Sequence, residues 1–221
     1  MEAVPHFTCR DRSLLGTQAD LLGAHALGIR NILVTTGDPP KHGSYPSKAV
    51  YDYNTFELIR LIKKMNNGLD YNEKEFGGRT DFKIACAATP TAKNPEGEIE
   101  RMEKKISAGA DFFQTQVVYD AERVIDFLEK ARRKLNKPIL IGIMPLKSVK
   151  MAKFMNDNVE GIDVPEKIIS RMENEGATGI EIACDFIREI VDHTDGIHIM
   201  AMGDVKGTNS IIEFVNTLNT R

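Results

Sequence analysis

The sequence predicts an α/β protein of (β/α)8 TIM-barrel type, with about six βα units present. Three observations carry that prediction. Short apolar or β-branched runs alternate with helix-like stretches, the pattern of parallel strands joined by right-handed crossovers. Most of the runs are almost continuously apolar, as strands covered on both faces must be. Polar residues also gather at the ends of many different strands, where a barrel carries its function. These ends read Thr8-Cys9-Arg10-Asp11, Thr36-Gly37-Asp38, Thr89, Gln114 with Gln116, and Gly203-Asp204. An open doubly wound sheet competes, but the chain contains neither GxGxxG nor GxxxxGK[ST].

The strands are expected at Ala3–Cys9, Asn31–Thr36, Phe82–Ala88, Phe112–Val118, Pro138–Met144 and Gly196–Met202. Leu14, Leu15, Ala19, Leu22 and Ala26 mark a first helix, with Gly28 placed to end it. Phe56, Ile59, Leu61 and Ile62 mark a second; Ile99, Met102 and Ile106 a third; Val124, Phe127, Leu128 and Ala131 a fourth. Three helices are expected between Val149 and His193, with Pro165 near one start. Ile211, Ile212, Phe214 and Val215 mark the last. A full barrel takes about 250 residues. Residues 1–221 are therefore expected to form a single partial barrel domain lacking two units, open, or completed by another chain.

Composition narrows the function. With 42% hydrophobic residues the 221-residue chain builds a sizeable core and is not disordered. A net charge of −3 offers no basic face for nucleic acid. No run of about 18 apolar residues suits a membrane. The start Met1-Glu2-Ala3-Val4-Pro5-His6 lacks the charged and apolar regions of a signal peptide. Cys9, Cys86 and Cys184 form no CxxC pair and read as reduced thiols, so a cytoplasmic location is expected.

Several side chains invite chemistry. Asp38 closes a strand as Gly37-Asp38-Pro39-Pro40, a carboxylate on a turn stiffened by two prolines. The plainer reading is an Asx turn or helix cap. Gln114 and Gln116 share one strand face, and an amide offers donor and acceptor together to a heterocycle edge; the alternative is a satisfied core amide. His6 and Thr8 share a face of the first strand. The five histidines form neither HxH nor HExxH, so no metal site is expected. Lys104 and Lys105 follow Glu98 and Arg101 on one helix and suit phosphate or adenine, or else a solvated face of ion pairs. Met144, Met151, Met155, Met200 and Met202 read as gap-filling core.

The series Pro5-His6-Phe7-Thr8-Cys9, Gly28-Ile29-Arg30-Asn31-Ile32 and Thr36-Gly37-Asp38-Pro39-Pro40 resembles the methylenetetrahydrofolate reductase family. Ala87-Ala88, Lys105-Ile106-Ser107-Ala108-Gly109-Ala110-Asp111 and Gln114-Thr115-Gln116 continue it, followed by Gly142-Ile143-Met144-Pro145 and Gly179-Ile180-Glu181-Ile182-Ala183. The resemblance implies an FAD-holding barrel. Hydride passes from NADH or NADPH to FAD and then to 5,10-methylenetetrahydrofolate, giving 5-methyltetrahydrofolate by ping-pong kinetics, in one-carbon metabolism and methionine biosynthesis. Position by position, it implies catalytic roles for Asp38 and Gln116, which with Met151 also meet substrate. His6, Thr36, Gly37, Asp38, Tyr51, Ala88, Asn94, Glu98, Arg101, Lys104 and Lys105 are implied on the flavin.

The departures from the family pattern are specific. The family's general-acid glutamate, on its first barrel strand, has no counterpart in this sequence, so an N-terminally shortened form is expected. Its activity then depends on that strand, and a homo-oligomer or partner subunit is a possible completion. Thr36 stands where some members carry arginine, Thr89 where many carry an aromatic, and Met151 where some carry a polar residue. The last strand ends in Met202-Gly203-Asp204 and lacks the arginine that meets the folate tail. Two other readings stay open: a non-catalytic barrel remnant, and a flavin-free barrel enzyme of pterin or phosphate chemistry using Gly203-Asp204-Val205-Lys206-Gly207-Thr208 as a phosphate loop.

Overall fold

The computed structural model describes residues 3–40, 48–159 and 161–218. Six strands alternate with helices: β1 (His6–Thr8), α1 (Leu14–Ala26), β2 (Asn31–Thr35), α2 (Thr55–Asn66), β3 (Lys83–Ala88), α3 (Pro95–Ala108), β4 (Phe112–Val117), α4 (Ala121–Arg132) and β5 (Ile139–Ile143). Three consecutive helices, α5 (Val149–Asn158), α6 (Glu166–Asn174) and α7 (Gly179–Ile190), precede β6 (Gly196–Ile199) and α8 (Val205–Leu218). The strand order in the sheet is β1-β2-β3-β4-β5-β6. A doubly wound sheet reverses its order at a switch point. The unreversed order, with parallel pairing of β1 to β2, β2 to β3 and β5 to β6, is that of a (β/α) barrel with six of its strands present.

The residues group into two compact units, Met1–Ala87 with Arg101–Phe113, and Ala88–Glu100 with Gln114–Arg221. In the first, β1 and β2 run in register from His6 opposite Leu33 to Thr8 opposite Thr35. Helix α2 packs on β2 and is sharply started. Asn54 Oδ1 accepts from the amides of Phe56 (2.9 Å) and Glu57 (3.1 Å), and Glu57 Oε2 accepts from Asn54 N at 2.8 Å. The helix buries Leu58, Ile59, Leu61, Ile62 and Met65, each stabilising by roughly 2 kcal/mol in gross transfer terms.

Helix α1 departs from the sequence expectation. The residues whose spacing marks the helix are not the ones it buries: Leu15 is 77% and Leu22 37% exposed, and the helix buries Thr17 and Leu21. Apolar residues lie all round α1, so periodicity alone does not choose a face. The Thr17 hydroxyl, hydrogen-bonded to the buried Tyr53 hydroxyl, and the fully buried Leu21 mark the side that packs. Gly28 ends the helix as expected, at φ +87° with its amide on the His25 carbonyl at 3.0 Å.

In the second unit, Val117, Tyr119, Met144, Leu146, Ala152, Val164, Ile168, Ile169 and Ile182 form one buried cluster. Met151, Met155 and Met200 pack against it, as gap-fillers should, whereas Met202 is 59% exposed. The buried Tyr119 hydroxyl donates to the Met144 carbonyl at 3.0 Å, and burial pushes its phenol pKa up. Gly142 lets β5 approach β4: a Cβ there would lie 2.5 Å from the Thr115 carbonyl oxygen. Among the described residues no helix is long and apolar enough to cross a membrane.

Candidate active site at the strand ends

In the first unit, the end of β1 holds the turn that follows β2. Gly37 takes φ +82°, and a Cβ there would stand 2.9 Å from Arg10 Cβ and 3.0 Å from Thr8 Cβ, so only glycine fits. Arg10 Nη1 donates to the backbone oxygen of Asp38 at 3.0 Å. The Tyr51 hydroxyl donates to the Gly37 carbonyl at 2.8 Å. Arg10 also grips Asp11 as a fork, Nε to Oδ1 at 2.6 Å and Nη2 to Oδ2 at 3.0 Å, while Thr8 Oγ1 donates to Asp11 Oδ2 at 3.0 Å. The guanidinium, with help from the Thr8 hydroxyl, holds the Asp11 carboxyl below the usual range.

This arrangement presents Asp38 as an exposed carboxylate on a held turn. Pro39 follows it and has no amide for its side chain to cap. His6 is exposed and Thr8 half-buried on β1. Thr36 is exposed, its hydroxyl 2.9 Å from that of Thr55. The sequence marks Arg10 and Asp11 only as a polar strand end; the one signal of their role is the adjacent Arg-Asp pair there.

Helix α3 divides its implied ligands into two kinds. Lys105 is 8% exposed, and its ammonium donates to the Ala87 carbonyl at 2.6 Å, tying α3 to β3 within the first unit. Lys104 is exposed and lines an open groove with Asn54, Glu57 and Arg60. Arg101 is exposed as well. In the second unit, Glu98 is buried and its Oε1 accepts from the Thr89 amide at 3.1 Å. Asn94 starts α3 by accepting from the Gly97 amide at 3.0 Å. Asn94 thus caps the helix, while Glu98 and Lys105 bond the backbone at the end of its strand.

The rest of the second unit places Gln116 exposed and Gln114 half-buried on one face of β4, with Phe113, Thr115 and Val117 buried on the other. Ala88 is buried at the end of β3. Met151 is half-buried at the start of α5, its amide bonded to the Ser148 hydroxyl at 3.2 Å. The suggested phosphate loop is not a loop. Asp204 caps α8, accepting from the Gly207 amide at 2.9 Å, and Lys206, Gly207 and Thr208 lie within the helix. A carboxylate fills the position an anion would take. Cys9 and Cys86 are buried, which pushes their thiols up to about 11 and about 12, so both stay protonated and unreactive at neutral pH.

Parallel strands in barrel order, with polar side chains at their ends, define an α/β protein of the barrel class. A family model described as methylenetetrahydrofolate reductase matches residues 1–216, and the chain belongs to that family. It is 28% identical to methylenetetrahydrofolate reductase 1 of Schizosaccharomyces pombe, over 97% of this chain and 36% of that protein. It is 27% identical to 5,10-methylenetetrahydrofolate reductase of Pectobacterium carotovorum, over 85% of this chain and 60% of that protein. The chain thus spans about a third of the yeast relative's length. Among solved structures it is similar to a phosphoenolpyruvate phosphomutase from Streptomyces platensis, with a TM-score of 0.48 and 11% identity over all of this chain and 62% of that one.

Proposed function

We propose that residues 1–221 form a single partial-barrel domain that works as the catalytic part of a flavin-dependent 5,10-methylenetetrahydrofolate reductase. The observation that carries this reading is the family match over residues 1–216, which takes in all six strand ends. FAD, when bound, would relay hydride from NADH or NADPH to 5,10-methylenetetrahydrofolate, giving 5-methyltetrahydrofolate. The donor set suits it. His6 and Thr36 offer hydrogen-bonding groups at the exposed strand ends, the side-chain-free Gly37 and the Tyr51 beside it form the turn, and Arg101 and Lys104 offer exposed positive charge to a diphosphate.

Within this reading Asp38 acts on the folate. Its carboxylate favours the positive charge that develops at the methylene-bearing nitrogen before hydride arrives. Gln116 presents an exposed amide that can both donate to and accept from a pterin or nicotinamide edge. Met151 lies on the substrate side. Asn94 serves by capping α3, and Glu98 and Lys105 by bonding the backbone at the end of β3, where Ala88 is buried.

The test is direct. Purified protein is supplied with FAD and followed by its visible absorption. Retained flavin, bleached by NADH or NADPH and restored by 5,10-methylenetetrahydrofolate, is the expected result. Protein that retains no flavin, or that is bleached but not restored by the folate, contradicts the proposal; flavin-free protein points to a non-catalytic barrel.

A further inference from the structure

We propose that Arg10 and Asp11 act as one positioning device for Asp38: Arg10 fixes the turn through its backbone, and Asp11 neutralises the guanidinium so that Asp38 keeps its charge for the substrate. The inference rests on the reductase reading above and deepens it at the same site.

The geometry separates holding from charge. Arg10 reaches Asp38 through the backbone oxygen, at 3.0 Å, with one terminal nitrogen. Its other two nitrogens are taken by the two oxygens of Asp11, at 2.6 and 3.0 Å. The Arg10 backbone is itself fixed, its carbonyl accepting from the Val50 amide at 2.7 Å. A guanidinium this close to the turn, left alone, would offset the field of Asp38, and a carboxylate that acts by charge would lose strength. The bidentate partner removes that conflict, because a planar fork can spend two donors on a carboxylate and still keep one for a carbonyl. The neighbouring Arg12 pairs with Asp20 instead. Thr8 fixes the second oxygen of Asp11, so the pair is oriented from β1 itself.

Two variants separate the two roles. Arg10→Lys keeps the charge and loses the fork; Asp11→Asn keeps the guanidinium, retains one of its two bonds because an amide offers a single acceptor oxygen, and leaves its charge uncompensated. Each is read by the backbone carbonyl carbon resonance of Asp38, by FAD affinity, and by the two half-reactions measured separately. In Arg10→Lys the Asp38 resonance should move, and the folate half-reaction should fall about tenfold while NAD(P)H oxidation holds within about twofold. In Asp11→Asn the resonance should stay, FAD affinity should hold, and the folate half-reaction alone should fall about threefold. Combined with Asp38→Asn, neither variant should add a further loss.

Losses that add to Asp38→Asn, an unmoved resonance in Arg10→Lys, or an Asp11→Asn protein with a normal folate half-reaction would each overturn the proposal. Wild-type protein with no folate half-reaction would instead overturn the reductase reading and the charge role with it. The Asp38 resonance in Arg10→Lys would then still decide whether Arg10 holds the turn.

Discussion

The same dipeptide ends two strands of this protein and meets two fates. Gly37-Asp38 follows β2 and Gly203-Asp204 follows β6, with the glycines at φ +82° and +80°. After Asp204 come residues with amides to offer, and its carboxylate is spent on capping α8. After Asp38 come Pro39 and Pro40, which have none, and among the described residues its carboxylate caps no helix. The turns are also held differently. Gly37 is pressed by Arg10 and Thr8 and tied by Arg10 and Tyr51, whereas a Cβ at Gly203 would meet nothing within 4 Å. An exposed carboxylate on a turn held from outside is what a functional group needs.

Substitution should sharpen that contrast. Of the two turn glycines, Gly37→Ala is expected to cost more, about 2–3 kcal/mol, because backbone strain and a clash with Arg10 and Thr8 act together. Gly203→Ala carries the strain alone and should cost about 1 kcal/mol. Urea unfolding of the two variants measures the gap, and equal losses would mean that the crowding at Gly37 relaxes freely. Asp204→Ala should cost about 1 kcal/mol through the lost cap while leaving flavin affinity unchanged; loss of flavin would put Asp204 in the site.

The smallest expected effect is on pH. Hydrogen bonds from Arg10 lower the Asp11 carboxyl, those from Arg171 lower Asp185, and those from Thr178 lower Glu181. A carboxyl depressed in the folded state contributes stability that is fully present above its unfolded pKa, about 4, and is lost as pH falls through the folded value. Stability should therefore be level from neutral pH down to about 5 and decline below about 4. These pairs are exposed, so the decline should be shallow, and Asp185→Asn should flatten it further in urea titrations at several pH values.

Much of the fold was legible because its signals are local. Alternating apolar runs and helices gave all six strands, and the polar strand ends gave the barrel reading that the unreversed sheet order bears out. The capping boxes that start α2 at Asn54-Glu57 and α7 at Thr178-Glu181 are local signals too, but only the fold brought them out. What failed did so for a stated reason. Helix α1 is apolar on every side, so its pattern did not show that Leu21 packs and Leu15 does not. Leu21→Ala should accordingly cost about 3 kcal/mol and Leu15→Ala under about 0.5.

At the site, the shared face of Gln114 and Gln116 follows from strand periodicity. The work of Lys105 and Glu98 did not, because a charged helix residue reads alike whether it meets solvent, ligand or a backbone group. Only the fold showed Lys105 on the Ala87 carbonyl and Glu98 on the Thr89 amide.

The most direct measurement compares Asp38→Asn with Asp204→Asn in the two half-reactions of FAD-loaded protein. If Asp38 acts by charge on the folate, Asp38→Asn should slow the folate step by about 100-fold and leave NAD(P)H oxidation nearly unchanged, while Asp204→Asn alters neither. Equal loss of both steps in Asp38→Asn, or the same loss in Asp204→Asn, would contradict that role.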